Sequence, residues 1–147
     1  MTSTQTTTES DGFTPEERAA MKERAAELRA EKGGKKKEAG LQALLEKIAE
    51  MPKADQEIAA GLHTLVSEIA PELEPKTWYG MPAYARDGAV LLFMQPADKF
   101  GSRYSTIGFN DNAKLDEGDL WPTGFAVTTF TPAVRKRIAE LVTKSLG

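Results

Sequence analysis

The stretch TWYGMPAYARDG, residues 77–88, is the most informative segment for the fold of this chain. It places three aromatic residues around a glycine and a proline, and it ends in Asp-Gly, which favours a tight hairpin turn. The run AVLLFMQ that follows, residues 89–95, is apolar and short enough to be a central strand. Residues rich in β-branched and aromatic side chains predict further strands. They cover 76–79, 83–85, 103–109 and 124–130.

A corner is predicted at Gly80 and Pro82, between the first two of these strands. Glycine adopts backbone angles that other residues avoid, and Pro82 is expected to fix the next turn. Because side chains alternate along a strand, Trp78 and Tyr79 are expected on opposite faces of the sheet. One of the two rings would then be in the core, and the other would be available for a ligand.

The first predicted helix has a clear start and a weak apolar face. Thr14 and Glu17 match a capping box, with Pro15 at the first helical position. The helix is expected to end near Lys32, before two glycines. Its apolar stripe is thin, so we expect it to dock weakly on the rest of the protein. The stripe consists of Met21, Ala25 and Leu28.

Three more helices are predicted from apolar residues that recur at i, i+3, i+4 and i+7. They cover about 38–51, then 55–70 with Asp55 as the cap, and a last helix that opens at Thr131-Pro132. The expected buried stripes are Leu41, Leu44, Leu45, Ile48 and Met51; Ile58, Leu62, Leu65, Val66 and Ile69; and Val134, Ile138, Leu141 and Val142. The predicted class is α+β: an antiparallel sheet covered on one face by helices, with helices at both ends of the chain.

The 147 residues are predicted to form one domain with an N-terminal extension. Residues 1–12 have the composition of a disordered tail. Residues 13–37 hold the first helix and a basic linker, and 38–147 form the α+β domain. For the GGKKK run at 33–37, we favour a solvated linker over an anion-binding patch.

The composition excludes several classes of function. Cysteine is absent, so the chain has no disulfide, thiolate zinc site or cysteine nucleophile. A formal charge of −3 gives no overall basic field to attract nucleic acid. The chain contains no run of about 20 apolar residues, which is the length that a helix needs to cross a bilayer. The polar start lacks a secretory signal. We therefore expect a cytoplasmic monomer without nucleic-acid or membrane partners.

No catalytic motif is recognisable. Both glycine-rich phosphate motifs and the G-x-S-x-G elbow are missing. The only histidine, His63, lies beside the apolar stripe of the third helix, and we interpret it as a helix-flank residue rather than part of a triad. We assign no catalytic residue and favour binding over catalysis.

The aromatic corner is the predicted ligand site. Apolar walls with a few convergent polar groups are typical of ligand pockets, and Arg103 could hold an anionic group by a bidentate contact. The competing interpretation is that these side chains only pack over the end of the sheet, and it stays open. The predicted ligand-binding residues are Trp78, Tyr79, Met81, Tyr84, Phe100, Arg103, Tyr104 and Trp121.

A polar loop near the end of the chain is a candidate metal site. Hard cations take oxygen ligands from such loops, but the spacing does not match an EF-hand. A solvated acidic loop is the alternative that we favour. The candidate ligands are Asp111, Asp116, Glu117 and Asp119.

The chain also resembles a known family. The segments APEL (70–73), WYGMPAY (78–84), AVLLFM (89–94) and TIGF (106–109) resemble those of the bacterial YdhG-like domain family over about residues 40–146. The resemblance implies a frataxin-like fold. Some members are described as iron chaperones, which would bring iron to the acidic loop. Many members carry a histidine where this chain has Thr106.

The functional prediction is a non-enzymatic domain that binds a small molecule or a peptide at the aromatic corner. The alternative is an intracellular iron-binding or iron-chaperone protein that uses surface carboxylates. The sequence predicts no bound cofactor other than iron in that alternative, and it does not identify a partner protein.

Overall fold

The computed structural model describes residues 13–31 and 36–147. The predicted tail at 1–12 and the glycines of the predicted linker lie outside these ranges. Within them, the helices are α1 (Pro15–Glu31), α2 (Lys36–Glu50), α3 (Lys53–Ile69) and α4 (Pro132–Ser145). The strands are β1 (Glu74–Trp78), β2 (Met81–Arg86), β3 (Ala89–Gln95), β4 (Ser105–Phe109) and β5 (Gly124–Val127).

The five strands form one antiparallel sheet in which each strand pairs with the next along the chain. Trp78 pairs with Met81 at one end of the β1–β2 hairpin, and Arg86 pairs with Ala89 at the other end of β2. With helices at both ends of the chain, the predicted α+β class is confirmed.

The core lies between the sheet and the helices. Tyr84 of β2 pairs with Leu92 of β3, and Leu92 pairs with Phe109 of β4, so the three side chains share one face. All three belong to a buried cluster that also contains Leu62 of α3 and Val142 of α4. Burying each such side chain stabilises the fold by about 1.5–3 kcal/mol.

Two helix starts were predicted correctly, and one was not. Thr14 Oγ1 accepts from the Glu17 amide at 3.0 Å, and the Glu17 carboxylate accepts from the Thr14 amide at 2.9 Å. Thr131 Oγ1 likewise accepts from the Val134 amide at 3.1 Å. The prediction that Asp55 caps α3 is wrong, because the N-cap is Pro52 and Asp55 is buried inside the first turn.

The predicted apolar stripe of α2 is only partly buried. Leu44 and Ile48 lie in the core, whereas Leu41 and Leu45 are exposed. Strand β1 packs closely against the neighbouring side of α2, where a Cβ on Gly40 would stand 2.5 Å from the Pro75 carbonyl oxygen. The side of α2 that meets the sheet therefore includes Gly40 and Leu44, and Leu41 and Leu45 lie outside it. Ile69, at the end of α3, is exposed as well.

The predicted corner is a two-residue hairpin turn. Tyr79 and Gly80 both have positive φ, 54° and 76°, and form the turn themselves. The expectation that Tyr79 lies in a strand and that Pro82 fixes a turn is therefore wrong. Pro82 lies within β2, where it pairs with Thr77, and pairing with β3 begins only at Ala83. An amide hydrogen is thus not required at Pro82.

Candidate functional site

The turn formed by Tyr79 and Gly80, here called the elbow, binds a carboxylate. The Tyr79 amide donates to Glu27 Oε1 at 3.1 Å, and the Gly80 amide donates to Glu27 Oε2 at 3.0 Å. Successive N–H groups in a turn conformation form a concavity that suits an anion. Here the anion is a side chain of α1, which lies 52 residues before Tyr79 in the sequence.

Two lysines hold a second carboxylate beside the elbow. Lys99 Nζ lies 2.5 Å from Glu23 Oε1, and Lys47 Nζ contacts Glu23 Oε2. Glu23 precedes Glu27 by four residues, so both carboxylates project from the same face of α1. The elbow and the two lysines therefore bind, as hydrogen-bond donors, a pair of carboxylates that lie one helical turn apart.

The charges at this site stabilise one another. Burial alone would raise the pKa of Glu23, but the hydrogen bonds and charges of Lys47 and Lys99 outweigh burial and lower that pKa below its ordinary value. Burial alone would lower the pKa of Lys47, but its contacts with Glu23 raise it. Both side chains are therefore ionised near neutral pH.

Aromatic side chains lie next to the charged groups. The half-buried Trp78 packs against Phe93, with ring centroids 5.3 Å apart, and against the edge of Tyr79 at 5.2 Å. The guanidinium carbon of Arg24 lies 6.0 Å from the Tyr79 ring centroid. Lys99 Nζ lies 5.9 Å from the Phe100 ring centroid. The elbow thus combines partly exposed rings with cations.

A small apolar groove lies beside Glu27, where α1, α2 and β1 meet. Its volume is about 220 Å³. This is below the usual range for sites that hold drug-sized ligands, so it suits a side chain or a small group. The residues that line it include Ala26, Gly40, Ala43, Pro75 and Thr77, together with the charged Lys37 and Glu74.

The structure keeps part of the predicted aromatic corner together. Trp78, Tyr79 and the buried Met81 lie at the elbow. Phe100 lies in the β3–β4 loop, close to Lys99. Arg103 and Tyr104 belong to the same loop. The exposed Arg103 stacks on the Tyr104 ring, with its guanidinium carbon 5.1 Å from the ring centroid.

Tyr84 and Trp121 do not lie at this corner. Tyr84 faces the helices because it pairs with Leu92 on the core side of the sheet. Trp121 lies shortly before Gly124, which pairs with Gly108, and so belongs to the opposite end of the sheet, where it packs against the core cluster. The eight predicted residues therefore do not line one common pocket.

The acidic loop also lies at the end of the sheet away from the elbow. Asp111, Asp116, Glu117 and Asp119 are all exposed, and Glu117 pairs with Lys144 at 3.2 Å. Among the residues that the structure describes, no three Asp, Glu, His or Cys side chains come close enough to hold a metal ion. The geometry gives no support to a metal centre in this loop.

Sequence reasoning missed the polar half of the site. Glu23, Glu27, Lys47 and Lys99 were not singled out, although the two glutamates have helical spacing on α1. Their partners lie in three other parts of the chain, and no local pattern connects them.

Comparison with known proteins finds no matching family model, no similar curated protein and no similar solved structure. Among the described residues, no helix has both the length and the apolar content needed to span a bilayer.

Proposed function

We propose that this protein is a non-catalytic binding domain and that its ligand, a small molecule or a peptide, contacts the elbow. One observation carries the proposal: partly exposed rings of Trp78 and Tyr79 lie beside two backbone amides and two lysines that together bind two carboxylates. Rings and convergent polar groups are the usual components of a ligand site.

The state of the only histidine favours binding over catalysis. Nδ1 of His63 lies 3.0 Å from the hydroxyl oxygen of Tyr84, which is fully buried. Burial raises the pKa of Tyr84, so its hydroxyl is a poor base and a poor nucleophile near neutral pH. The histidine therefore has a structural partner, and that partner is not an activated nucleophile.

Membership of the YdhG-like family is part of the proposal and rests on the sequence segments described above. The iron-chaperone alternative also stays a prediction, and it would rely on Asp111, Asp116 and their neighbours as exposed carboxylates. Titration with ferrous iron, followed by selective broadening of amide resonances of residues 110–119, would test it.

The two tryptophans allow a direct test of binding at the elbow. Trp121→Phe leaves Trp78 as the only indole reporter, and Trp78→Phe leaves Trp121 at the far end of the sheet. A panel of aromatic carboxylates should change the fluorescence of the first variant and leave that of the second unchanged. Amide shifts in wild-type protein should concentrate at residues 78–81 and 97–104. Shifts confined to 110–123 would place the site elsewhere and refute the proposal.

A further inference from the structure

We propose that the elbow, Lys47 and Lys99 form a recognition site for an acidic helical segment of a partner protein, and that α1 occupies this site as an internal ligand. The inference rests on the proposed binding function at the elbow and names the class of ligand. Its starting point is the pairing of Glu27 with two backbone amides and of Glu23 with two lysines.

The docking of α1 is mainly polar. Over residues 13–28, the only buried side chain of this segment is Ala20, while Met21 and Leu28 are 43% and 44% exposed. Partly exposed ion pairs contribute little individually, whereas hydrogen bonds to a charged group are stronger than those between neutral groups. A helix held in this way can be displaced by another helix that supplies the same carboxylates.

The receiving half of the site is built without α1. The elbow is fixed by the pairing of Trp78 with Met81. The loop that carries Lys99 is held by Asp55, which accepts from the Asp98 amide at 3.0 Å. Lys47 projects from α2, whose Leu44 is buried in the core. The amides and cations therefore stay in place when α1 leaves.

The site has two subsites for anions, the amides of the elbow and the pair formed by Lys47 and Lys99. Their spacing favours a helix over a small anion as the ligand. A single phosphate or carboxylate could fill the elbow or contact the lysines. Residues four apart on a helix lie on the same face, and this places one carboxylate in each subsite, as Glu23 and Glu27 do here. Helix-in-groove recognition uses such repeated anchor positions.

The connection of α1 to the domain makes the site self-regulated. A tethered segment acts at an effective concentration in the millimolar range, so a free helix of equal affinity competes poorly with it. Partner binding should therefore be weak in the wild-type chain and should increase when α1 is released.

The test uses full-length chains and a labelled peptide with the sequence of residues 13–31. Glu23→Ala/Glu27→Ala removes both internal carboxylates and keeps a good helix former at each position. Glu16→Ala/Glu46→Ala is the charge-matched control, because both residues are exposed. Fluorescence anisotropy should show the peptide binding at least about tenfold more tightly to the first variant than to wild type or to the control.

Three further arms test the chemistry. A peptide with Gln in place of both glutamates should not bind, and adding Lys47→Met/Lys99→Met to the opened variant should abolish binding. Inorganic phosphate should not displace the bound peptide when it is added at the peptide concentration that saturates the site. Equal binding of the peptide to all variants, equal binding of the Gln peptide, or efficient competition by phosphate would overturn the inference.

Two measurements separate this inference from the proposed function and from a second copy as the occupant. If aromatic carboxylates still perturb Trp78 while the acidic peptide fails to bind, only the helical ligand class is refuted. If neither binds, the proposed function fails too. Wild-type chains that exchange α1 and sediment as dimers would make a second copy the occupant and overturn the partner-helix proposal.

Discussion

His63 and Tyr84 form a hydrogen-bonded pair between α3 and β2. Nδ1 of His63 lies 3.0 Å from the Tyr84 hydroxyl oxygen, and the rings are stacked with centroids 6.0 Å apart. Burial lowers the pKa of His63 below its ordinary value. The tyrosine hydroxyl can therefore donate to the neutral imidazole, and protonation of His63 would remove that acceptor.

This pair predicts how stability depends on pH. Because the pKa of His63 is lower in the folded state, its contribution is complete above the unfolded pKa of about 6.5 and is lost as the pH falls through the folded value. The free energy of unfolding should decrease as the pH falls below about 6.5, and His63→Gln should flatten this decrease. Urea unfolding at several pH values measures it.

The titration of Glu23 serves as an internal control for that experiment. Its pKa is lowered in the folded state, so its contribution is present above the ordinary value of 4.5 and is lost only in more acidic solution. The loss associated with His63 therefore begins at higher pH than the loss associated with Glu23. Identical slopes for wild type and His63→Gln above pH 4.5 would contradict the assignment to His63.

Local patterns were sufficient to predict most of the fold. The capping box at Thr14, the apolar run of β3 and the Asp87-Gly88 turn each depend on neighbouring residues, and each is present in the structure. The site was not predictable in the same way. The contact between Glu27 and Tyr79 spans 52 residues and joins a helix with a weak apolar stripe to a turn.

The position of Tyr84 shows a second limit of sequence reasoning. Residues 81–85 of β2 are all buried, so both faces of the strand are apolar and alternation does not reveal which face meets the helices. An aromatic residue in such a strand could line a surface pocket or fill the core. The strand register, which the sequence does not specify, decides in favour of the core.

Asp55 is predicted to stabilise the loop that carries Lys99. Its buried carboxylate accepts from the Asp98 amide at 3.0 Å and lies 3.4 Å from the Ser105 hydroxyl. Asp55→Ala should lower the free energy of unfolding by about 1–3 kcal/mol, because the Asp98 amide loses its acceptor. Hydrogen exchange at Ala97 and Asp98 should accelerate. Glu57→Ala, an exposed change on the same helix, should alter neither quantity.

Gly108 is predicted to be required for the position of the Phe93 ring. A Cβ at Gly108 would stand 2.5 Å from Phe93 Cζ, whereas among the described residues a Cβ at the paired Gly124 meets only Thr106 Cγ2, at 3.9 Å. Gly108→Ala should therefore lower stability by about 1–3 kcal/mol through overpacking. It should also disturb the contact between Phe93 and Trp78, which the fluorescence of Trp78 reports.

Gly124→Ala is the matched control for Gly108→Ala. It should be neutral or slightly stabilising, since alanine loses less conformational freedom than glycine when a strand forms. Phe93→Leu should relieve most of the cost of Gly108→Ala. Equal destabilisation by both alanines, or no relief in the Phe93→Leu background, would show that the ring does not require the glycine.

The two hairpin turns of the sheet provide the sharpest test of α1 docking. Gly80 and Gly88 occupy equivalent turn positions, with φ of 76° and 83°. A Cβ at Gly80 would clash with the Glu23 carboxylate and stand 2.9 Å from Lys99 Cε, whereas a Cβ at Gly88 meets no atom of the described residues within 4 Å. In both alanine variants the free energy of unfolding should fall by about 1–2 kcal/mol, because alanine is strained in the left-handed backbone conformation.

Gly80→Ala should lose additional stability and increase hydrogen exchange in α1, because only this variant disturbs Glu23 and Lys99. In the Glu23→Ala/Glu27→Ala background, the difference between the two glycine variants should shrink, since the Glu23 carboxylate is gone and only the contact with Lys99 Cε remains. Urea unfolding gives the free energy of unfolding of all six proteins: wild type, the double glutamate variant, and each glycine variant in both backgrounds. Equal losses for Gly80→Ala and Gly88→Ala in the wild-type background would mean that α1 is not held at the elbow as the structure describes.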